Sequence, residues 1–433
     1  MAQPSTALEF LELVARSGLW DETACAAIAQ QNGWTDQNSA LDAARAMIAA
    51  KKLTIFQAKQ LLKGRWRGLA FDGYRLLYPL GSGGMGYVYA AEEVSTGWQV
   101  AIKVLSDRYR RDIAMLTRIQ LEAQAGMRLK HPNILRTWSI NRLEDSYGEM
   151  YYVVMELVKG VSLNELLALH KKLPVWRACD IVRQAALGLH HAHEAGLVHR
   201  DVKPDNLLIR SDGSVKLLDF GLAMIDEHDE EFALAMIMGQ DRLGTADYVA
   251  PEQAINSYRV DRRADIYGLG GTLFFALVGR PPFPAETNVE KIRAHREKPI
   301  QPPHLLREDV PEELSRIVEK MMAKRPEKRF ATAAEVAERL APFSRREPVE
   351  FDFPRIVRAR AKWAKRREEL RRQQQARRDE STTKARSEPP ENKKPSPPAT
   401  AFGVPDGSSL SVPPEILDAE TRVAPPPPSG KLA

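Results

Sequence analysis

Cysteine is nearly absent from this sequence of 433 residues. Cys25 and Cys179 are the only two, and they lie far apart along the chain. Two isolated cysteines form neither a disulfide framework nor a metal-ligand motif, and they fit a reducing compartment. This scarcity indicates that the chain is not one of the small disulfide-rich secreted proteins.

Segments for export or membrane insertion are also missing. The first twenty residues carry Glu9 and Glu12 and lack the basic-then-apolar order of a signal peptide. The longest apolar run, GLGGTLFFALVG at 268–279, is too short to span a bilayer and predicts a buried helix. We therefore expect a cytoplasmic protein without a transmembrane span.

Aromatic residues almost disappear near the C-terminus, where Phe402 is the only one after residue 378. Residues 355–378 hold 11 basic and 2 acidic residues, and residues 379–433 hold 12 of the 29 prolines. Such a composition cannot bury a core, so we predict a disordered tail over 344–433, first basic and then rich in Pro, Ser and Thr. The basic part should be a solvated helix, with binding of nucleic acid or an anionic membrane surface as the alternative.

The first 70 residues predict a helical N-terminal domain. Leu8, Leu11 and Val14 recur at helical spacing, and Thr54 precedes a second amphipathic stretch as a helix cap. Nothing in this segment has a chemical motif, so an interaction or packing module is expected.

From Tyr74 the pattern changes to short β-branched and aromatic runs, followed after Gly160 by mostly helical sequence to about residue 343. The loop GSGGMG at 81–86 lies between two of these strands, and Lys103 lies on the next one. Glycines allow a backbone to approach a phosphate closely, although an ordinary hairpin turn remains open as an alternative.

Three further motifs follow in order: HRDVKPDNLL at 199–208, LDFGLA at 218–223 and GTADYVAPE at 244–252. With the glycine loop and VAIK, they make residues 74–343 resemble the protein kinases, and in particular the eukaryotic-like bacterial Ser/Thr kinases. The resemblance implies an α+β, bilobal protein kinase fold with a β-rich N-lobe and a helical C-lobe.

The resemblance implies a site for ATP at the glycine loop and the strands around it. Met155 would limit the depth of the adenine pocket, and Glu156 to Val158 would form the hinge. The residues expected to bind the nucleotide are Leu80, Gly81, Ser82, Gly83, Gly84, Met85, Gly86, Val88, Ala101, Lys103, Met155, Glu156, Val158 and Leu208.

The resemblance also assigns the catalytic roles. Asp201 would orient the substrate hydroxyl and accept its proton, with Lys203 at the γ-phosphate. Lys103 would contact the α- and β-phosphates and pair with Glu122. The metal, Mg²⁺ with Mn²⁺ as the alternative, would be held by Asn206 and Asp219.

Three other matches are structural. Glu252 would pair with Arg329, and Asp265 would brace the catalytic loop.

Residues 222–243 contain no Ser, Thr or Tyr. The segment therefore has no residue that could carry an activation-loop phosphate. We hypothesise that the carboxylate of Asp241 partly replaces such a phosphate as the partner of Arg200. The alternative is that Asp241 is a solvated loop charge.

Lys203 and Thr245 are typical of kinases that phosphorylate Ser and Thr hydroxyls of protein substrates, and the tail offers Ser and Thr for autophosphorylation. The competing interpretation is a pseudokinase scaffold. Pseudokinases usually lose the Lys, the catalytic Asp or a metal ligand, whereas this chain keeps the full set, which favours an enzyme.

Overall fold

The computed structural model describes residues 3–83, 86–106, 120, 123–124, 126–145, 148–218, 245–254, 260–356 and 358. The chain begins with four helices that each start at a polar cap. The side chain of each cap, Thr6, Asp21, Ser39 or Thr54, accepts a hydrogen bond from a backbone N–H of the first turn. The helices are α1 (Ala7–Arg16), α2 (Glu22–Asn32), α3 (Ala40–Ala49) and α4 (Ile55–Leu62).

A six-stranded antiparallel sheet follows in the order β1-β2-β3-β4-β6-β5. Its second strand is irregular, because its pairing with β3 shifts register between Leu76 and Tyr78 and again between Pro79 and Gly81. The strands are β1 (Ala70–Phe71), β2 (Tyr74–Gly83), β3 (Gly86–Glu93), β4 (Gln99–Leu105), β5 (Thr137–Asp145) and β6 (Gly148–Glu156).

The C-lobe is mostly helical and contains a small sheet of β7 (Val161–Ser162), β8 (Leu207–Ile209) and β9 (Val215–Leu217). The helix at 263–278 has apolar residues on all sides and is almost fully buried, as its sequence predicts. The helices are α5 (Leu163–His170), α6 (Val175–Glu194), α7 (Arg263–Val278), α8 (Asn288–Glu297), α9 (Pro303–Leu306), α10 (Glu312–Met321) and α11 (Ala333–Leu340).

The four N-terminal helices and the six-stranded sheet share one hydrophobic core. Phe10 and Leu61 of the helices are buried in the same cluster as Tyr89 and Ile102 of the sheet. The rings of Phe56 and Tyr89 meet with their centroids 6.0 Å apart. The helices of the predicted N-terminal helical domain therefore pack against the sheet of the N-lobe.

Residues 344–356, which the sequence placed in the tail, lie against the C-lobe, and we call this segment the C-terminal strap. The N–H of Val349 donates to the carbonyl oxygen of Ser211 in the β8–β9 turn, at 2.8 Å. Gly213 of that turn has φ +76°, and a β-carbon there would lie 2.4 Å from the carbonyl oxygen of Glu347. The strap thus touches the turn so closely that only glycine fits.

The strap also has side-chain anchors. Val349 and Ile356 are buried, with 5% and 1% of their surface exposed. Arg346 lies 3.8 Å from the buried carboxylate of Asp180 in α6, which also accepts a hydrogen bond from Gln184. Most of the basic segment and the Pro-rich remainder lie outside the described residues.

Within the residues that the structure describes, no helix combines the length and the apolar composition needed to cross a bilayer.

Candidate active site

The glycine-rich loop connects β2 and β3. Gly86 has φ +143°, and a β-carbon would lie 1.9 Å from the carbonyl oxygen of Val104, so the strand contact requires glycine. At Gly81 a β-carbon would meet nothing within 4 Å, which leaves open space beside the backbone. Leu80, half-buried, is the extra residue at the second register shift of β2.

The sheet register places four of the predicted nucleotide residues on one face. Lys103 in β4 lies opposite Val88 in β3 and Val153 in β6. Ala101, two residues earlier and so on the same face, lies opposite Met155. Lys103 is only 6% exposed. An ammonium group this well covered, on a face that also carries small and apolar side chains, suits the phosphate end of a nucleotide.

The predicted hinge begins where β6 ends. The carboxylate of Glu156 accepts a hydrogen bond from Nζ of Lys216 in β9, at 2.9 Å, and its backbone N–H donates to the carbonyl oxygen of Arg136. This side chain therefore ties the hinge to the small sheet. Val158 and Leu208 are half-buried. Leu208 of β8 lies opposite Lys216 of β9.

Three residues to which the sequence assigns catalytic or metal-binding roles lie close together in the structure. Nζ of Lys203 lies 2.7 Å from Oδ2 of Asp201. Nδ2 of Asn206 donates to the backbone oxygen of Asp201 at 2.7 Å and to Oδ2 at 3.2 Å. Because both bonds use the amide nitrogen, Oδ1 of Asn206 points away from Asp201. The three polar groups fix one another around a single carboxylate.

Asp265 of α7 holds the segment just before this carboxylate. Its Oδ2 accepts from the backbone N–H of His199 at 2.8 Å, and its Oδ1 accepts from that of Arg200 at 2.7 Å. Nε2 of His193 is also 2.8 Å from Oδ2. Arg200 has φ +63°, a conformation that costs a non-glycine residue about 1–3 kcal/mol. The buried carboxylate thus holds a strained backbone in place, as expected for Asp265.

Two supporting residues were missed by the sequence reasoning. His199 is fully buried, and its Nε2 lies 2.8 Å from the carbonyl oxygen of Leu218, the residue before Asp219. Gln253 donates from Nε2 to the carbonyl oxygen of Arg200 at 2.8 Å. His199 is the first residue of the motif at 199–208 and Gln253 directly follows the motif at 244–252, so their positions in the sequence were the available signal.

The segment 245–254 is fixed to the helical lobe. Glu252 and Arg329 form the expected pair, with two N–O distances of 2.5 and 2.7 Å. Asp247 pairs with Lys291 of α8 at 2.8 Å. Burial lowers the pKa of nearby His295 to about 3, so its imidazole is neutral, and its Nδ1 lies 2.8 Å from Oη of Tyr267.

Some predicted site residues have no described side-chain position or lie outside the described residues. Ser82 and Gly83 are placed by their strand pairing alone, opposite Tyr87 and Gly86. The residues that lie outside the described ranges are Gly84, Met85, Glu122 and Asp219, together with Asp241.

A family model described as "Protein kinase domain" matches residues 74–340, more than half of the chain. The chain belongs to the protein kinase family. The match confirms the resemblance and the bilobal fold inferred from the motifs, and it begins at the first residue of β2.

Two curated relatives of this kinase-family chain are mycobacterial kinases. The serine/threonine-protein kinase PknB of Mycobacterium leprae is 38% identical over 268 residues, which cover 61% of this chain and 42% of that protein. The serine/threonine-protein kinase PknH of Mycobacterium bovis is 35% identical over 270 residues, 62% of this chain and 44% of that protein. This chain thus matches less than half the length of either relative.

A crystal structure of the Mycobacterium tuberculosis PknI kinase domain, in a form with one substituted residue, has a similar fold. It is 29% identical, with a TM-score of 0.50, and covers 64% of this chain and 98% of that one.

The described residues fit the nucleotide and divalent metal that the family uses. The open space at Gly81 leaves room for phosphate oxygens beside the backbone. The orientation of Asn206 presents an amide oxygen, and oxygen atoms are the ligands that Mg²⁺ prefers.

Proposed function

We propose that this chain is an ATP-dependent protein kinase that transfers the γ-phosphate of ATP to Ser and Thr hydroxyls of proteins in signalling. The observation that carries the proposal is the convergence of Lys203 and Asn206 on the carboxylate of Asp201, within 2.7 and 3.2 Å. Phosphoryl transfer needs positioned groups and charge neutralisation more than covalent chemistry, and this cluster supplies both.

In this proposal Asp201 orients the acceptor hydroxyl and accepts its proton, while Lys203 neutralises charge on the transferred phosphoryl group. Lys103 holds the α- and β-phosphates and is itself held by Glu122. The divalent ion, Mg²⁺ or Mn²⁺, would be held by Asn206 and Asp219 and would neutralise charge on the phosphate oxygens.

The nucleotide base is proposed to lie between the sheet face and the C-lobe. Val88, Ala101 and Met155 supply apolar contacts from the sheet, and Leu208 supplies them from β8. The side chain of Glu156 is occupied by Lys216, so the hinge recognises the base through its backbone.

Hydroxyl specificity is proposed from Lys203 and Thr245, which favour Ser and Thr as acceptors over Tyr. The chain carries acceptors of its own in its last 55 residues, and autophosphorylation there is part of the proposal.

The deciding experiment is the intact mass of the full chain, made phosphate-free and then incubated with ATP and Mg²⁺. The wild type is expected to gain multiples of about 80 Da, the mass of a phosphoryl group. Asp201→Asn is expected to gain none, because it loses the carboxylate. The matched control is Asp212→Asn in the exposed β8–β9 turn, which should behave as the wild type.

A mass gain in Asp201→Asn equal to the wild type would contradict the proposed role of this carboxylate. No gain in any chain, with a generic protein acceptor also unmodified, would favour the pseudokinase scaffold. Replacing Mg²⁺ by Mn²⁺ in the same assay identifies the metal.

A further inference from the structure

Strand β2 leads directly into the glycine-rich loop, and one of its edges is only partly covered by another strand. Strand β1 pairs with β2 only through Ala70 and Phe71, opposite Arg75 and Tyr74. Beyond Arg75 the hydrogen-bonding groups on this edge need partners from elsewhere. A strand with unsatisfied edge groups is less well held in place.

Helix α4 and its cap, Thr54, supply partners for two carbonyl groups of this edge. The N–H of Leu76 donates to the carbonyl oxygen of Leu69, which shows that this residue's polar groups face the edge away from β3. The carbonyl oxygen of Leu76 accepts from Nε2 of Gln57 at 2.8 Å. Gln57 is 4% exposed, so this bond is shielded from water.

Thr54 makes the second contact, at the first irregularity of the strand. Leu77 is the extra residue between the pairs formed by Leu76 and Tyr78, and such a residue loses its ladder partner. Its carbonyl oxygen accepts from Oγ1 of Thr54 at 2.7 Å. The helix cap therefore holds the bulge that sets the direction of the strand.

The two side chains also fix each other. The N–H of Thr54 donates to Oε1 of Gln57 at 2.8 Å, and the N–H of Gln57 donates to Oγ1 of Thr54 at 3.2 Å. This reciprocal arrangement is a capping box, which normally serves only its own helix. Here the remaining donor of each side chain reaches a carbonyl of β2.

We propose that Thr54 and Gln57 are positioning residues for the nucleotide phosphates, acting through β2 on the glycine-rich loop. The contact to Leu77 lies four residues before Gly81, about 13 Å along an extended strand. Next to it, Phe56 packs on Tyr89, which pairs with Pro79 on the other strand of the same hairpin. The N-terminal helices thus contact both strands that form the loop.

The proposal rests on the proposed function only in taking the loop as a phosphate site. A loop that is held less firmly should lose affinity for phosphates and keep most of its affinity for the base, because Ala101, Met155 and Leu208 contact the base from strands outside this hairpin. The test therefore compares two ligands, Mg²⁺·ADP and adenosine, by calorimetric titration of the full chain. Adenosine shares the base and the ribose but has no phosphate.

Thr54→Val removes the hydroxyl and is expected to weaken Mg²⁺·ADP about 3–10-fold while adenosine changes less than about twofold, since one lost hydrogen bond is a modest effect. Thr54→Ser keeps the hydroxyl and should restore wild-type affinity. Ser39→Ala is the matched control, because Ser39 caps α3 through Asp42 in the same group of helices. It loses a cap without a described bond to β2, and both affinities should stay unchanged.

Equal weakening of ADP and adenosine, or none, in a folded Thr54→Val chain would overturn the proposal. If that variant fails to fold, Gln57→Met, which keeps the length but not the donor, must show the same selective loss of ADP. A wild type that binds ADP but transfers no phosphate would refute the proposed function alone, and the ADP comparison would still decide this inference.

Discussion

The two segments that flank the kinase domain are attached to it in different ways. The N-terminal helices share a hydrophobic core with the sheet and bond to carbonyl groups of β2. The C-terminal strap adds Val349 and Ile356 to the buried core of the C-lobe, and Phe351 and Phe353 pack half-buried against that core. A flank that supplies many core residues is inseparable from its lobe, whereas a strap that supplies few can detach while the lobe stays folded.

Truncation should break this comparison most clearly. Removing residues 1–69 would expose Tyr89 and Leu76, both fully buried, so we expect aggregation or loss of cooperative unfolding. Removing residues 344–433 should leave a cooperative transition with a lower midpoint. Thermal unfolding followed by circular dichroism measures both, and a cooperative, stable chain without residues 1–69 would contradict the shared core.

A single substitution tests the helical flank. Phe56→Ala should reduce the free energy of unfolding by about 3–5 kcal/mol, because it leaves a cavity against Tyr89. Ile55→Ala is the control, since Ile55 is 38% exposed and its loss should cost less than about 1 kcal/mol. Denaturant titrations of the two variants should differ clearly, and similar losses would argue against the contact.

A matched pair of glycines tests how firmly the strap is held against the C-lobe. Gly213 and Gly196 have φ of +76° and +78°, but only at Gly213 does a β-carbon meet the strap. Both alanine variants carry the backbone strain, and the clash should cost Gly213→Ala about 1–3 kcal/mol more. Limited proteolysis should cut after residue 344 faster in Gly213→Ala, and equal rates would mean that the strap is not held there.

Acid pH should destabilise the C-lobe through His295, which lies in neither flank. Its pKa of about 3 in the folded chain is below the unfolded value near 6.5, so the unfolded state binds more protons between these values. Stability is therefore lost as pH falls below 6.5, by about 2 kcal/mol at pH 5. Denaturant titrations at pH 7 and 5 should show a loss of stability that is larger by this amount in the wild type than in His295→Gln.

The smallest effect is expected from the ion pair of the strap. Arg346 is half-exposed and lies 3.8 Å from Asp180, so Arg346→Ala should cost less than about 1 kcal/mol. High salt should abolish the difference. A larger, salt-independent loss would show that the arginine contributes by packing.

The local geometry of the site follows from its motifs, since Asp201, Lys203 and Asn206 lie within six residues and their mutual contacts are short-range. The caps were predictable for the same reason, and Thr54 is one of them. The second bond of Thr54 was not, because its acceptor is 23 residues away and exists only where β2 bulges. The strap was missed because its residues look like tail sequence, and Gly213 gives no hint of a partner more than a hundred residues later.

The placement of Thr54 and Gln57 also affects how the sheet meets other molecules. An open strand edge is a template on which a second chain can add a strand, and this is a common route to aggregation. By occupying the carbonyls of Leu76 and Leu77, the helix removes two acceptors that an incoming strand would need. The N-terminal helices thereby make the pairing of a strand from another molecule with this edge less favourable.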